Sequence, residues 1–93
     1  MKLYFTERIK AKLDGKHGVE QREVYECFMN REGRFLEDTR ERHKTDPPTR
    51  WFVAKTQAGR LLKVVFINLD GKILVKTAYE ANPKEISIYS RYG

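Results

Sequence analysis

Arg60–Tyr79, with the sequence RLLKVVFINLDGKILVKTAY, predicts two β-strands joined by a tight turn. Val64–Ile67 is a continuous apolar run, which is typical of a central strand that is covered on both faces. Asp70-Gly71 is a strong signal for a two-residue hairpin turn. We therefore predict antiparallel strands at 60–69 and 72–79 in the middle of a sheet.

Two further strands are predicted before this hairpin. Trp51–Thr56 is a strand that a short turn, Gln57-Ala58-Gly59, separates from the hairpin, and Arg34–Thr39 is an earlier strand with poor alternation. Residues 40–49 are polar and contain a pair of prolines, which cannot continue a hydrogen-bonded ladder, so this segment is predicted to be an exposed loop. Short connections between successive strands favour a four-stranded antiparallel meander.

Helices are predicted before and after the meander in the sequence. Phe5, Ile9 and Leu13 recur every four residues, which predicts a first helix that ends near two glycines. A second helix is predicted from about Glu20 to Asn30. The sequence therefore indicates an α+β fold with two N-terminal helices, a four-stranded antiparallel meander and a short C-terminal helix.

The C-terminal helix has the clearest start signal in the chain. Asn82 is a favoured cap, Pro83 suits the first helical position, and Glu85 follows three residues after the cap, as in a capping box. This helix is predicted to continue to about Tyr92.

Length and charge limit the class of protein. The chain has 93 residues, so we expect one domain that spans residues 1–93. Its formal charge is +6, and the basic excess is concentrated at residues 1–17 and 51–77. Such an excess suits a polyanion such as RNA, although solubilising charge on a solvated surface gives the same pattern.

Localisation and redox signals are few. The N-terminus lacks the apolar core of a signal peptide, and no apolar run approaches the length of a membrane span, so we expect a cytoplasmic protein without a membrane partner. The single cysteine, Cys27, lies on an apolar helix face and is predicted to be a buried, inert thiol. With two distant histidines and one cysteine, we expect neither a metal site nor a cofactor.

Several short motifs together resemble the BrnT toxins of the RelE-like superfamily. The resemblance spans about Leu13 to Tyr92, and the order of elements agrees with it. The motifs that carry it are Lys16-His17-Gly18-Val19, Glu23-Val24, Phe28, Asp38, Arg40, His43, Arg50-Trp51-Phe52 and Gly59-Arg60-Leu61-Leu62.

The resemblance implies a type II toxin, which is a ribonuclease that a small antitoxin protein neutralises. It also implies that the expected partners are RNA and the antitoxin. Enzymes of this superfamily rely on lysine, arginine and tyrosine side chains. Cleavage through the ribose 2′-hydroxyl needs a base, a cation for the phosphate and an acid for the leaving oxygen, and it needs no metal.

Two sets of candidate residues follow. The candidate catalytic residues are His43, Arg50, Lys63, Lys76 and Tyr79. The candidate substrate-binding residues are Arg40, Arg42, Lys44, Arg91 and Tyr92. His43 is favoured as acid or base by its intrinsic pKa, and Lys63 and Lys76 would form a basic groove if they shared one face of the sheet.

Other interpretations remain open. Residues Thr77-Ala78-Tyr79-Glu80 stand where BrnT-like sequences usually carry an Ala-Arg pair, which favours a non-catalytic module that binds RNA or protein. A third interpretation is an adaptor that works through protein contacts alone. His17, in the turn between the two helices, is expected to be structural and to bond nearby backbone.

Overall fold

The computed structural model describes residues 1–39 and 46–93, and within them three α-helices accompany a five-stranded mixed sheet. The elements in chain order are β1 (Leu3–Tyr4), α1 (Glu7–Lys12), α2 (Gln21–Asn30), β2 (Leu36–Glu37), β3 (Thr49–Lys55), β4 (Leu61–Leu69), β5 (Lys72–Glu80) and α3 (Pro83–Tyr92). A π-helical turn at Leu13–His17 continues α1. The predicted α+β class is confirmed.

The strand order is β1-β5-β4-β3-β2, and β1 is parallel to β5 whereas the other neighbours are antiparallel. The predicted arrangement of two N-terminal helices before four antiparallel strands is therefore wrong, because a parallel strand opens the chain. Strand β1 was not predicted because its two residues are too few to show the alternation of a strand. Phe5, which the helical pattern included, precedes the cap at Thr6, whose hydroxyl accepts a hydrogen bond from the Ile9 amide at 3.2 Å.

The core lies between the sheet and the two helices α1 and α2. Its centre is a cluster of aromatic rings in which the Phe28 ring lies 4.7 Å from that of Phe52 and 5.4 Å from that of Phe66. Edge-on packing at these distances is favourable beyond the burial of apolar area. This cluster fixes which face of β3 and β4 is internal.

One arginine joins the motifs that carry the sequence resemblance. Arg60 donates hydrogen bonds to the backbone oxygen of Gly18 at 2.9 Å and to a carboxylate oxygen of Glu23 at 3.2 Å. Gly18 itself ends the π-helical turn in the left-handed conformation, with φ of 59°. These motif residues therefore hold the first helices against the start of β4 and have a structural role.

An irregularity in β5 changes which side chains share a face. Val65 lies opposite Thr77 whereas Phe66 lies opposite Val75, so Lys76 has no partner in the register. Val75 and Ala78 are both buried in the core, and two residues separate them instead of one. Lys76 and Thr77 therefore both project from the opposite side of the sheet, as at a β-bulge.

We call the side of the sheet that faces away from α2 the outer face. By strand alternation and register it carries Tyr4, Trp51, Lys63, Val65, Ile67, Lys72, Leu74, Lys76, Thr77 and Tyr79. Helix α3 contacts β3. Across residues 1–39 and 46–93, no helix combines the length and apolar character that crossing a membrane requires.

Candidate functional site

The start of α3 places a carboxylate over the outer face. Asn82 Oδ1 accepts a hydrogen bond from the Glu85 amide at 2.8 Å, and Glu85 Oε1 accepts one from the Asn82 amide at 3.0 Å. This reciprocal capping box is the one that the sequence predicts. It fixes the Glu85 side chain beside the sheet and leaves Oε2 for other partners.

The second oxygen of Glu85 binds two side chains of the sheet. Glu85 Oε2 accepts a hydrogen bond from Lys63 Nζ at 3.0 Å and another from the Tyr79 hydroxyl at 2.8 Å. Lys63 and Tyr79 are directly opposite each other in the β4–β5 register. The side chains of Lys63 and Glu85 are only 13% and 14% exposed. An ion pair in such a setting is held more rigidly than one on an open surface.

Aromatic rings surround the ammonium group. Lys63 Nζ lies 4.6 Å from the centre of the Trp51 ring and 5.9 Å from that of Tyr79, both within the range of a cation–π contact. The Trp51 ring in turn lies 5.9 Å from that of Tyr89 on α3. We call Lys63, Glu85, Tyr79 and Trp51 the Lys63–Glu85 cluster.

A cleft of about 570 Å³ opens beside this cluster. Its described lining comprises Leu36, Glu37, Asp38, Thr39, Trp51, Lys63, Asn82, Lys84, Glu85, Ile88 and Tyr92. Acidic and basic side chains nearly balance in this lining, so the described part of the cleft has no strong attraction for a polyanion.

The carboxyl group of Glu85 is held in its ionised form. Burial raises its pKa, but the hydrogen bonds from the Asn82 amide, Lys63 and Tyr79 together outweigh that effect, so the net pKa lies below the usual 4.5. Hydrogen bonds to a charged form stabilise that form. Glu85 is therefore a carboxylate at neutral pH, where it pairs with Lys63.

The His17 ring contacts the Tyr79 ring, and the two ring centres are 5.5 Å apart. Burial, followed by repulsion from Lys12 and Lys16, lowers the pKa of His17 below its usual 6.5. Its Nε2 is buried without a hydrogen-bond partner among the described residues, so the predicted bond to nearby backbone is not made by this atom. A neutral imidazole at this position packs against Tyr79.

The predicted catalytic residues are distributed over both faces of the sheet. Lys63 and Tyr79 meet at Glu85, whereas Arg50 lies opposite the core residue Phe66, and therefore on the other side of the sheet, at 4.0 Å from Glu37. The expected convergence of Arg50 with Lys63 does not occur. His43 lies outside the described residues.

Lys63 and Lys76 share the outer face, as the predicted basic groove requires, but Glu85 pairs with Lys63. Both lysines belong to the outer face, but the charge of Lys63 is neutralised by Glu85, and Lys76 is exposed at the irregularity of β5. The two lysines therefore do not act as an equivalent pair of free cations.

The predicted substrate-binding residues are only partly described. Tyr92 lines the cleft and is 57% exposed, and Arg91 is exposed in the last turn of α3. Arg40, Arg42 and Lys44 lie outside the described residues.

Two members of the cluster had other interpretations in the sequence. The sequence predicts Glu85 as part of a helix cap, and Trp51 as part of a strand and of one resemblance motif, but neither as a site residue. Because Lys63 and Glu85 are 22 residues apart, no local pattern indicates their contact. In the described ranges, no group of three or more histidine, cysteine, aspartate or glutamate side chains is placed to hold a metal ion.

We compared the chain with protein-family models and with curated proteins, and neither comparison gave a match.

Proposed function

We propose that the protein is a BrnT/RelE-like RNA-cleaving domain whose active site is the Lys63–Glu85 cluster and the adjoining cleft. The observation that carries the proposal is the carboxylate of Glu85, which accepts hydrogen bonds from Lys63 and Tyr79 and which lines a cleft together with Lys63. Lysine and tyrosine side chains are also the groups that the sequence resemblance implies for such chemistry.

Three side chains of the cleft suit the three requirements of the reaction. Glu85 would take the proton of the ribose 2′-hydroxyl, whose oxygen then forms a bond to phosphorus. Lys63 would stabilise the charge on the phosphate, and Tyr92 would give its proton to the 5′-oxygen as the bond from phosphorus to that oxygen breaks. The products are a 2′,3′-cyclic phosphate and a 5′-hydroxyl, and proton exchange between Glu85 and Tyr92 through water restores both groups.

Tyr79 and the Asn82 amide position the carboxylate in this scheme. Tyr79 does not line the cleft, and its hydroxyl bonds the same oxygen that binds Lys63. Because the pKa of Glu85 is lowered, the carboxylate is a weak base. Slow turnover is therefore expected, and activity should persist through mildly acidic pH, where Glu85 stays ionised.

A second candidate function is RNA binding without cleavage. One observation favours it: Lys63, Glu85 and Tyr79 satisfy one another, as members of a structural network do. The carboxylate that would act as base is then occupied by the groups that stabilise the fold.

Cleavage of a labelled RNA pool by the purified protein, with EDTA present, separates the two candidates. Glu85→Gln keeps an oxygen for the Asn82 amide but removes the charge, and we expect it to reduce cleavage by at least about a hundredfold. The matched control is Glu32→Gln, which makes the same charge change at an exposed site away from the cleft, and it should cleave like the wild type.

Two outcomes would contradict the proposal. Equal cleavage by Glu85→Gln and the wild type would place the chemistry elsewhere, and salt-dependent binding without any cleavage would support the binding module. The toxin part of the proposal predicts that expression of the wild type arrests bacterial growth, that Glu85→Gln does not, and that a small antitoxin protein relieves the arrest.

A further inference from the structure

Tyr4 is directed outward because its neighbour is anchored in the core. Leu3 is 5% exposed, its amide donates to the Tyr25 hydroxyl at 3.1 Å, and that hydroxyl also lies within reach of the Leu3 carbonyl oxygen at 3.4 Å. Successive side chains of a strand point to opposite faces. Tyr4 is therefore on the outer face, where it is 37% exposed.

Two lysines lie close to the ring of Tyr4. Lys2 Nζ is 5.5 Å from the ring centre and Lys72 Nζ is 5.7 Å from it. Both lysines are exposed, and neither forms an ion pair with a carboxylate in residues 1–39 or 46–93. A partly exposed aromatic ring with two cations within 6 Å of its centre provides groups that a base and its neighbouring phosphates can bind.

Further exposed basic side chains lie on β5 and on the helix that contacts it. Lys76 is exposed on the same outer face, four residues along β5 from Lys72. Helix α1 packs against β5, and it and its π-helical continuation carry Arg8, Lys12 and Lys16, all exposed, at intervals of four residues. Lys12 and Lys16 lie near enough to His17 to lower its pKa. Residues 1–17, which contain β1, α1 and the π-helical turn, thus carry five basic and two acidic side chains.

We propose that Tyr4 is a stacking platform for one base of a single-stranded RNA, and that Lys2 and Lys72 bind the phosphates beside that base. This inference deepens the proposed function, on which it rests for the identity of the ligand as RNA. A single strand is required because a base within a duplex has no free face to offer to an aromatic ring.

The position of Tyr4 also suggests the path that the bound RNA follows across the sheet. Strand β5 carries Lys72, Lys76 and Tyr79 on the outer face, so it leads from Tyr4 to the Lys63–Glu85 cluster over roughly 20 Å at the usual rise of a strand. The described charges of the cleft nearly balance, so the attraction for phosphates comes from the Tyr4 end. An RNA strand bound at Tyr4 would extend along β5 to the cleft.

The test measures binding separately from cleavage. The probe is a fluorescein-labelled 2′-O-methyl oligouridine of about a dozen nucleotides, which has no free 2′-hydroxyl and cannot be cleaved by the proposed route. Fluorescence anisotropy gives its Kd for the full chain and for Tyr4→Phe, Tyr4→Leu, Lys2→Ala and Lys72→Ala. Lys55→Ala, which removes an exposed lysine at the far end of β3, is the matched control.

We expect Tyr4→Leu to weaken binding about tenfold, and Tyr4→Phe, which keeps the ring, to stay within about twofold of the wild type. Lys2→Ala and Lys72→Ala should each reduce the slope of log Kd against log salt by about 0.7, whereas Lys55→Ala should not. Thermal unfolding checks the fold of each variant, and if Tyr4→Leu does not fold, the two lysine variants decide the matter.

Equal affinity of Tyr4→Leu and Tyr4→Phe would overturn the platform, as would equal effects of Lys55→Ala and Lys72→Ala. The platform would also be overturned if poly-glutamate bound the protein with the same dependence on Tyr4, because the surface would then fit an acidic protein. Tyr4-dependent binding without cleavage of unmodified RNA would leave the platform standing and refute the nuclease. Cleavage of unmodified RNA, with binding that does not depend on Tyr4, would refute the platform and leave the nuclease standing.

Discussion

Glu85 and Lys63 join α3 to the middle of the sheet, because one carboxylate oxygen of Glu85 caps the helix while the other lies 3.0 Å from Lys63 Nζ on β4. A single side chain thus serves both the start of a helix and its docking. The consequence is that the position of α3 on the outer face depends on a contact between charged groups that are largely removed from water.

A double-mutant cycle should measure this coupling. For Lys63→Met and Glu85→Gln we expect an interaction free energy of about 1–2 kcal/mol in urea unfolding, because the pair is largely buried. The control pair is Arg50 and Glu37, which are 4.0 Å apart and 39% and 55% exposed, and which should couple by less than about 0.5 kcal/mol. Equal coupling in the two pairs would show that burial does not strengthen the Lys63 contact.

Arg60→Met should destabilise the fold by about 2 kcal/mol. The substitution keeps most of the apolar stem but leaves the carboxylate of Glu23, whose side chain is 11% exposed, without its guanidinium partner. Urea unfolding followed by circular dichroism measures the change. Arg22→Met is the matched control, because the Arg22 side chain is 64% exposed, and a comparable loss there would contradict a special role for Arg60.

His17 should make stability depend on pH near neutrality. Its pKa is lowered in the fold by burial and by the lysines Lys12 and Lys16, so the unfolded chain binds a proton at higher pH than the folded chain does. Stability is therefore full above about pH 6.5 and falls as the pH decreases towards the folded pKa. Thermal unfolding between neutral and mildly acidic pH should show this fall.

The variant His17→Phe keeps a ring against Tyr79 and removes the titration, so its Tm should depend less on pH over the same range. His43 is present in both proteins, so the difference between them isolates His17. An NMR titration that placed the pKa of His17 at or above its usual value would contradict the prediction.

Cys27 should be unreactive in the folded protein. Burial, with the negative charges of Glu23 and Glu26, raises the pKa of its thiol to about 12. Since the thiolate is the reactive form, a disulfide reagent at mildly alkaline pH should label the folded chain more than about a hundredfold more slowly than the chain in denaturant. Rapid labelling of the folded protein would show that this part of the core opens readily.

Local sequence signals predicted the elements whose structure depends on neighbours in the chain. The Asp70-Gly71 turn joins β4 and β5, the capping residues at Asn82 and Glu85 start α3, and α2 ends at Asn30 as predicted. In each case the stabilising contacts lie within a few residues, so the pattern of residue types contains the information.

Signals that span more of the chain were absent or ambiguous. Strand β1 consists of two residues whose partner, β5, lies about seventy residues later, and the next residue, Phe5, fitted the helical pattern of Ile9 and Leu13. The irregularity near Lys76 also changed the alternation of β5, which places Thr77 and Lys76 on one side of the sheet. A period of two would assign them to opposite sides.

The amino-acid order thus determined the α+β class, the central hairpin and the start of α3, and it proposed Lys63 and Tyr79 as candidates, because propensity, capping and alternation act over short distances. Only the tertiary structure brings Glu85 to those two residues, places Arg50 on the other face of the sheet and brings Lys2 and Lys72 close to the Tyr4 ring. These contacts depend on strand register and on how α3 and β1 pack against the sheet, and such long-range packing leaves no periodic trace in the chain.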